Sequence, residues 1–206
     1  MDRIAFSDRA FNFYAGLTTD NSKAYWEANK ATYEAAVREP MTAMLERLAR
    51  EFDGGVKLFR PYRDVRFTAD KSPYKTAQGG LIRRGPGIGF YVQVDAEGVA
   101  VGGGFYARET AMTARYRAAV DDERGGRALV RIVDKLTSAG FTRHGEAVAT
   151  RPRGVPADHP RLDLMRLKSL AVMTRPTDAV VDVTVVEREW RRVRPLVDWA
   201  CEHVGT

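Results

Sequence analysis

Two stretches in the middle of the chain, FYVQV (90–94) and VAVGGGFY (99–106), alternate in polarity and are separated only by DAEG (95–98). Side chains of an extended segment point alternately to opposite faces, so a period of two with a four-residue connection specifies a β-hairpin. Nothing else in the sequence restricts the fold as much. Strands joined by short turns pair antiparallel, whereas parallel neighbours need crossovers of a dozen or more residues. GGLIRR (79–84) reads as another strand and GPGIG (85–89) as the turn that leads into the hairpin. LFRPYRDVRF (58–67) reads as a fourth strand, which Pro61 confines to an edge or a bulge.

Helical patterns flank this region. SDRAFNFYAGL has Ser7 or Asp8 as its cap and Gly16 near its end. In the next segment Trp26, Lys30, Tyr33 and Val37 share one face, with Asn29 on the same stripe. Pro40 opens a helix whose buried stripe is Met41, Met44, Leu45, Leu48 and Phe52, and DGG (53–55) ends it. Beyond the hairpin, Thr110 caps a helix with Met112, Tyr116 and Val120 on one face. A second stripe of Leu129, Ile132, Val133 and Leu136 stops at Gly140. RPRGVPADHP (151–160) is an extended wrap, RLDLMRLKS a short helix and LAVMT (170–174) a short strand. The last helix carries a capping box from Thr184 to Glu187, presents Val186, Trp190, Val193 and Val197, and meets a kink or break at Pro195. The expected architecture is one α+β domain over residues 1–206, a mainly antiparallel sheet packed by N-terminal and C-terminal helices.

No apolar run approaches the roughly 20 residues of a membrane span, and MDRIAFSDRAF lacks the apolar core of a signal peptide. The single cysteine, Cys201, permits no internal disulfide, so the expected location is cytoplasmic. His144, His159 and His203 have no metal-ligand spacing, and no metal or other cofactor is implied. His159, in ADHPR, reads as a turn residue.

The net charge of +6 is unevenly placed. Residues 1–56 are net −2, residues 57–117 net +6 and residues 118–206 net +2. A nucleic-acid coat would be spread more widely or lie in a tail, so any nucleic-acid binding is expected to be weak and salt-sensitive. The excess centres on RPYRDVRFTADKSPYKT (60–76). In an extended chain Phe59, Arg63, Val65 and Phe67 share one face, and Arg60, Tyr62, Asp64 and Arg66 the other. Arg63, on the apolar side, then needs a carboxylate, a carbonyl or a bound anion. Two readings stand side by side. The segment is an ion-pair network that fixes the fold, or Arg60, Arg66, Lys71 and Lys75 converge on a phosphate or carboxylate, for which the planar arginine fork is suited. Tyr74 anchors the loop or stacks on a base or sugar. Gly102, Gly103 and Gly104 weaken a strand and call for the close approach of another backbone or of a ligand. Asn29 ties its helix to the basic loop or reads a ligand.

The motif RDVRFTADKSPYKT (63–76), with Arg63, Asp64, Arg66, Phe67, Asp70, Lys71, Pro73, Tyr74 and Lys75, resembles the signature of the family known as domain of unknown function 2461. Asn21, Trp26, Asn29 or Lys30, and Tyr33 fit that family's N-terminal helix, although Glu27 stands where an aromatic residue is often found. The glycines at 102–104 and MRLKS with Lys168 complete the likeness over nearly the whole chain. The resemblance implies one α+β domain and no established activity. Two classes of function remain: a small-ligand protein, catalytic or not, with an anionic ligand in a basic pocket, and a nucleic-acid- or protein-binding module using the same patch. A purely structural motif is the third reading. The candidate ligand-binding set is Arg60, Arg63, Asp64, Arg66, Lys71, Tyr74, Lys75, Gly102, Gly103, Gly104, Asn29 and Lys168.

Overall fold

The protein is represented by a computed structural model that describes residues 4–64, 66, 69–107 and 109–205. Its fold class is α+β. Strands β1 (Gly55–Leu58), β2 (Ala77–Gly85), β3 (Ile88–Asp95), β4 (Gly98–Tyr106), β5 (Thr142–His144) and β6 (Ser169–Thr174) form one antiparallel sheet in the order β1-β2-β3-β4-β6-β5. The hairpin β3–β4 and the strand at 79–84 follow the sequence pattern. Among the described residues the expected strand over 58–67 does not form: β1 ends at Leu58, and 59–64 are irregular apart from an isolated bridge between Tyr62 and Tyr74. By its internal contacts the chain divides into two compact units, Met1–Ile82 with Tyr91–Val101 and Arg175–Arg188, and Arg83–Phe90 with Gly102–Thr174 and Glu189–Thr206.

The first unit is built on α1 (Asp8–Thr19), α2 (Lys23–Tyr33) and α3 (Glu39–Phe52). Ser22 caps α2 by accepting the Tyr25 N–H at 3.1 Å. Between α2 and α3 the helix does not stop; it widens into a π-helical turn at Glu34–Arg38. Pro40 supplies the physical reason. In a regular helix its ring would meet the carbonyl four residues back, and a wider turn relieves that contact. The Met41, Met44, Leu45, Leu48 and Phe52 stripe is fully buried. Asp53, in left-handed conformation (φ 46°), ends α3 in place of the glycines that follow it. Phe13 of α1 lies 5.8 Å from Trp26 and 5.7 Å from Tyr33, so the core of this unit is an aromatic cluster.

At the turn of the central hairpin, Asp95 is largely covered. Burial pushes its carboxyl pKa up, but hydrogen bonds from Arg175 (2.7 Å), Gln93 (2.8 Å) and the Glu97 N–H (2.9 Å) outweigh this and hold it below the usual value. A carboxylate with a depressed folded-state pKa stabilises the fold above its unfolded pKa, and that contribution is lost as pH falls through the folded one. Asp95→Asn should therefore destabilise the protein at neutral pH, and the difference from wild type in urea midpoint should shrink below about pH 4. A difference independent of pH would show that the charge of Asp95 contributes nothing.

The second unit carries α4 (Thr110–Asp121), α5 (Glu123–Ser138) and α6 (Leu162–Met165). Asp122 caps α5 through the Gly125 N–H at 2.7 Å, while the cap position of α4 belongs to Glu109 rather than Thr110 and makes no side-chain bond. Met112, Tyr116 and Val120 are buried as their spacing requires. Tyr116 donates to the Leu164 carbonyl (2.9 Å) and Trp199 to the Gly125 carbonyl (3.0 Å), which satisfies both buried aromatic donors. Helix α7 (Val183–His203) runs through Pro195 without a break. Its cap is Asp182, which accepts the Thr184 (2.9 Å) and Val185 (3.2 Å) N–H groups, instead of Thr184. No described helix is long and apolar enough to cross a membrane.

Candidate functional site

The basic segment folds back on itself within the first unit. Arg63 N–H donates to the Pro73 carbonyl (2.9 Å) and Lys75 N–H to the Pro61 carbonyl (2.8 Å), on either side of the Tyr62–Tyr74 bridge. A short two-stranded ribbon of this kind is weak alone. Helix α2 holds it. Asn21, just before the Ser22 cap, accepts the Tyr74 N–H at 3.0 Å and donates to the Tyr74 carbonyl at 3.1 Å, so its amide pairs with Tyr74 as another strand would. The Tyr74 ring then stacks on Trp26, centroids 4.3 Å apart and planes within 7°. Tyr74 is thus the loop's anchor. Asn29 instead donates to the Tyr25 carbonyl of its own helix (2.9 Å), and the tie expected of it is made by Asn21. Gln78 completes the seam, donating to the Phe59 (2.7 Å) and Gly79 (2.8 Å) carbonyls and accepting from the Tyr33 hydroxyl at 2.7 Å. Burial pushes the Tyr33 hydroxyl pKa up to about 12, so it stays a donor.

The charges sort into two groups. Arg63 donates to the Tyr74 carbonyl (3.0 Å) and pairs with Asp70, which also accepts the Ser72 N–H (2.9 Å). Arg63 therefore finds both the carbonyl and the carboxylate its position requires, although at 32% side-chain exposure it is only half-buried. Val65 and Phe67, its expected apolar neighbours, lie outside the described residues. Asp64 and Arg66 form a bidentate pair at 2.9 and 2.7 Å. These two ion pairs belong to the loop's own architecture.

A second group gathers about Phe59. The Lys57 ammonium lies 5.0 Å and the Lys75 ammonium 5.8 Å from the Phe59 ring centroid, both within cation–π range. Lys75 also donates to the Arg60 carbonyl at 2.9 Å. Burial pushes the Lys75 pKa down, and the positive charges of Arg60, Arg63 and Lys57 push it further. Lys57 was not in the sequence-derived set; the alternation of Lys57 and Phe59 along GVKLF is the only signal that could have placed it. Arg60 and Lys71 are exposed.

The other members of the set lie in the second unit. A side chain on Gly102 would begin 1.9 Å from the Val172 carbonyl oxygen, and one on Gly104 would begin 2.2 Å from that of Leu170. The close approach these glycines allow is that of the β6 backbone. Lys168 is exposed, and its N–H donates to the Glu146 carbonyl at 2.7 Å. This unit also contains a cavity of about 380 Å³ bordered by His159 and Arg161. His159 is nearly enclosed at 7% side-chain exposure, accepts the Arg161 N–H on Nδ1 (3.0 Å) and meets Asp121 through Nε2 (3.1 Å). With both ring nitrogens engaged it orders the 151–160 turns, as expected of it. Among the described residues no cluster of His, Cys, Asp or Glu could hold a metal ion.

A family model described as "Conserved hypothetical protein (DUF2461)" matches residues 9–199, a span that contains the whole basic loop and the α2 residues that hold it. No curated protein matches the chain.

Proposed function

The chain belongs to the DUF2461 family of conserved hypothetical proteins, whose description names no activity, and from the site itself we propose that it binds a small phosphate- or carboxylate-bearing ligand at the Phe59 cation cluster. The observation that carries the reading is the gathering of Lys57, Arg60, Arg63 and Lys75, with the nearby carboxylates already engaged: Asp70 by Arg63 and Asp64 by Arg66. Like charges held together raise one another's energy, and a bound anion relieves that. Each charge-assisted hydrogen bond contributes roughly 1.5–3 kcal/mol, so two or three can hold one anionic group after the entropy of binding is subtracted. Arg60, Lys71, Lys75 and Lys57 are the ligand-facing cations in this reading, and Arg63, Asp64, Arg66, Asp70 and Tyr74 are the frame. The single cysteine keeps the cytoplasm as the proposed compartment.

Calorimetry with inorganic phosphate, sugar phosphates, nucleotides and small carboxylates tests this. At least one should bind, and Lys75→Met or Arg60→Ala should weaken that binding at least about tenfold while circular dichroism stays native. Affinity should also fall as pH rises toward the ordinary lysine range, because Lys75 loses its proton earlier than a free lysine. Absence of binding by the wild type across all four ligand classes would remove the proposal and leave the motif as scaffold.

A further inference from the structure

We propose that the ligand of the basic loop carries a planar ring beside its anionic group, as a mononucleotide does, and that Tyr62 is the platform on which the ring stacks. This rests on the anion reading above. Tyr62 is 48% exposed, while the other two tyrosines of the cluster, Tyr33 and Tyr74, are buried. Its inner side leans on the Trp26–Tyr74 stack, with centroids 6.0 and 5.4 Å away, tilted 49° and 43°. Its backbone is pinned by the bridge to Tyr74 and by the flanking hydrogen bonds of Arg63 and Lys75. The hydroxyl has no hydrogen-bond partner among the described residues, so no polar contact explains why this ring is held half in solvent. What the arrangement provides is a fixed aromatic face that costs little entropy to use.

Two cations, Arg60 and Lys75, lie beside Tyr62. Exposure alternates along the segment: Phe59 and Pro61 are half-buried, Arg60 and Tyr62 exposed. Arg60 and Tyr62 are thus both open to solvent, on either side of the bend at Pro61. Lys75 reaches the Arg60 carbonyl from the paired side of the ribbon. A ring stacked on Tyr62 would hold a phosphate on its sugar within reach of Arg60 and Lys75. A bare anion would use the cations and leave the ring idle. Every nucleobase has a π-face, and stacking a base on an aromatic side chain is sequence-tolerant. The inference therefore specifies ring plus phosphate and leaves the base open.

Matched ligands separate this inference from the reading beneath it. Calorimetry on the full chain compares AMP with ribose 5-phosphate, which has the same sugar and phosphate without the base. The wild type should bind AMP at least about fivefold more tightly. Tyr62→Ala should bring AMP down to the ribose 5-phosphate level and leave ribose 5-phosphate unchanged, and Tyr62→Phe, which keeps the ring, should retain the preference. Equal wild-type affinities would overturn the ring inference and leave the anion site intact; this comparison needs no variant to fold. Absence of binding by both ligands and by inorganic phosphate would overturn both. A single-stranded hexanucleotide binding more than about tenfold tighter than AMP would overturn the mononucleotide assignment in favour of a strand-binding surface.

Discussion

Replacing Trp26 by alanine is expected to destabilise the protein by about 3–5 kcal/mol, the range for deleting a large buried aromatic side chain. Domains of this size are stable by about 5–15 kcal/mol, so the variant should sit near its unfolding threshold. Trp26 is 2% exposed and meets Phe13, Tyr33, Tyr62 and Tyr74 in one cluster. Its indole N–H has no hydrogen-bond partner among the described residues, so its contribution comes from the ring and not from a polar contact. Loss of the ring would open a cavity under Tyr74 and remove the support of the basic loop. Trp26→Phe should retain more than half of the lost stability because a ring remains against Tyr74. Urea unfolding of the two variants measures this, and a Trp26→Ala variant within about 1 kcal/mol of wild type would show that the cluster does not hold the first unit together.

The glycine-rich strand should be almost as sensitive, and in a graded order. Gly104→Ala combines a positive φ of 145° with a Cβ placed 2.2 Å from the Leu170 carbonyl oxygen. Gly102→Ala has no such conformational strain but a closer clash, 1.9 Å from the Val172 carbonyl. Both obstacles are backbone, which cannot rotate aside as a side chain does, so β4 or β6 must shift. Overpacking costs about 1–3 kcal/mol and a strained backbone conformation about as much again. Gly104→Ala is therefore expected to lose at least about 3 kcal/mol and Gly102→Ala about 2–3 kcal/mol. Gly103→Ala should lose less, since its nearest neighbours are the Gly89 carbonyl oxygen at 2.8 Å and a Val193 methyl at 3.0 Å. A Gly102→Ala variant with the wild-type urea midpoint would contradict the close approach of β6.

The elements that could be read from the sequence are those whose burial is periodic. The stripe from Met41 to Phe52 repeats every three or four residues and is wholly buried. The β3–β4 hairpin alternates around a short turn. Strand β5 has no such signal, because Thr142, Arg143 and His144 are all exposed and the strand exists only through its pairing with β6. The π-helical turn is equally silent: it is a matter of backbone hydrogen-bond register, and the only sign of it is a proline that reads as well as a helix start. The strand expected over 58–67 fails for an instructive reason. Residues 59–64 do alternate between half-buried and exposed, but 61–63 pair locally with 73–75 and not with the sheet.

Within the candidate site the motif's individual pairings were legible and their assembly was not. Arg63 on an apolar face called for a carboxylate and a carbonyl, and Asp70 and Tyr74 provide them. Helical spacing pointed to Asn29, because it lies on the inner stripe, whereas the residue that meets the loop is Asn21, which precedes the helix and belongs to no stripe. Tyr62 and Tyr74 are indistinguishable by composition. Only the fold buries one and leaves the other half in solvent.

The Asn21 clamp gives the Tyr74 N–H a single point of release. Both hydrogen bonds that hold Tyr74 to the helix run through one side-chain amide, and that amide belongs to the residue next to the α2 cap. Fraying of the first turn of α2 would free the Tyr74 N–H while Arg63 keeps the Tyr74 carbonyl, so amide exchange at Tyr74 should follow local helix-end opening and not global unfolding. The basic loop would then behave as a small foldon with its own opening equilibrium, separable from the stability of the sheet.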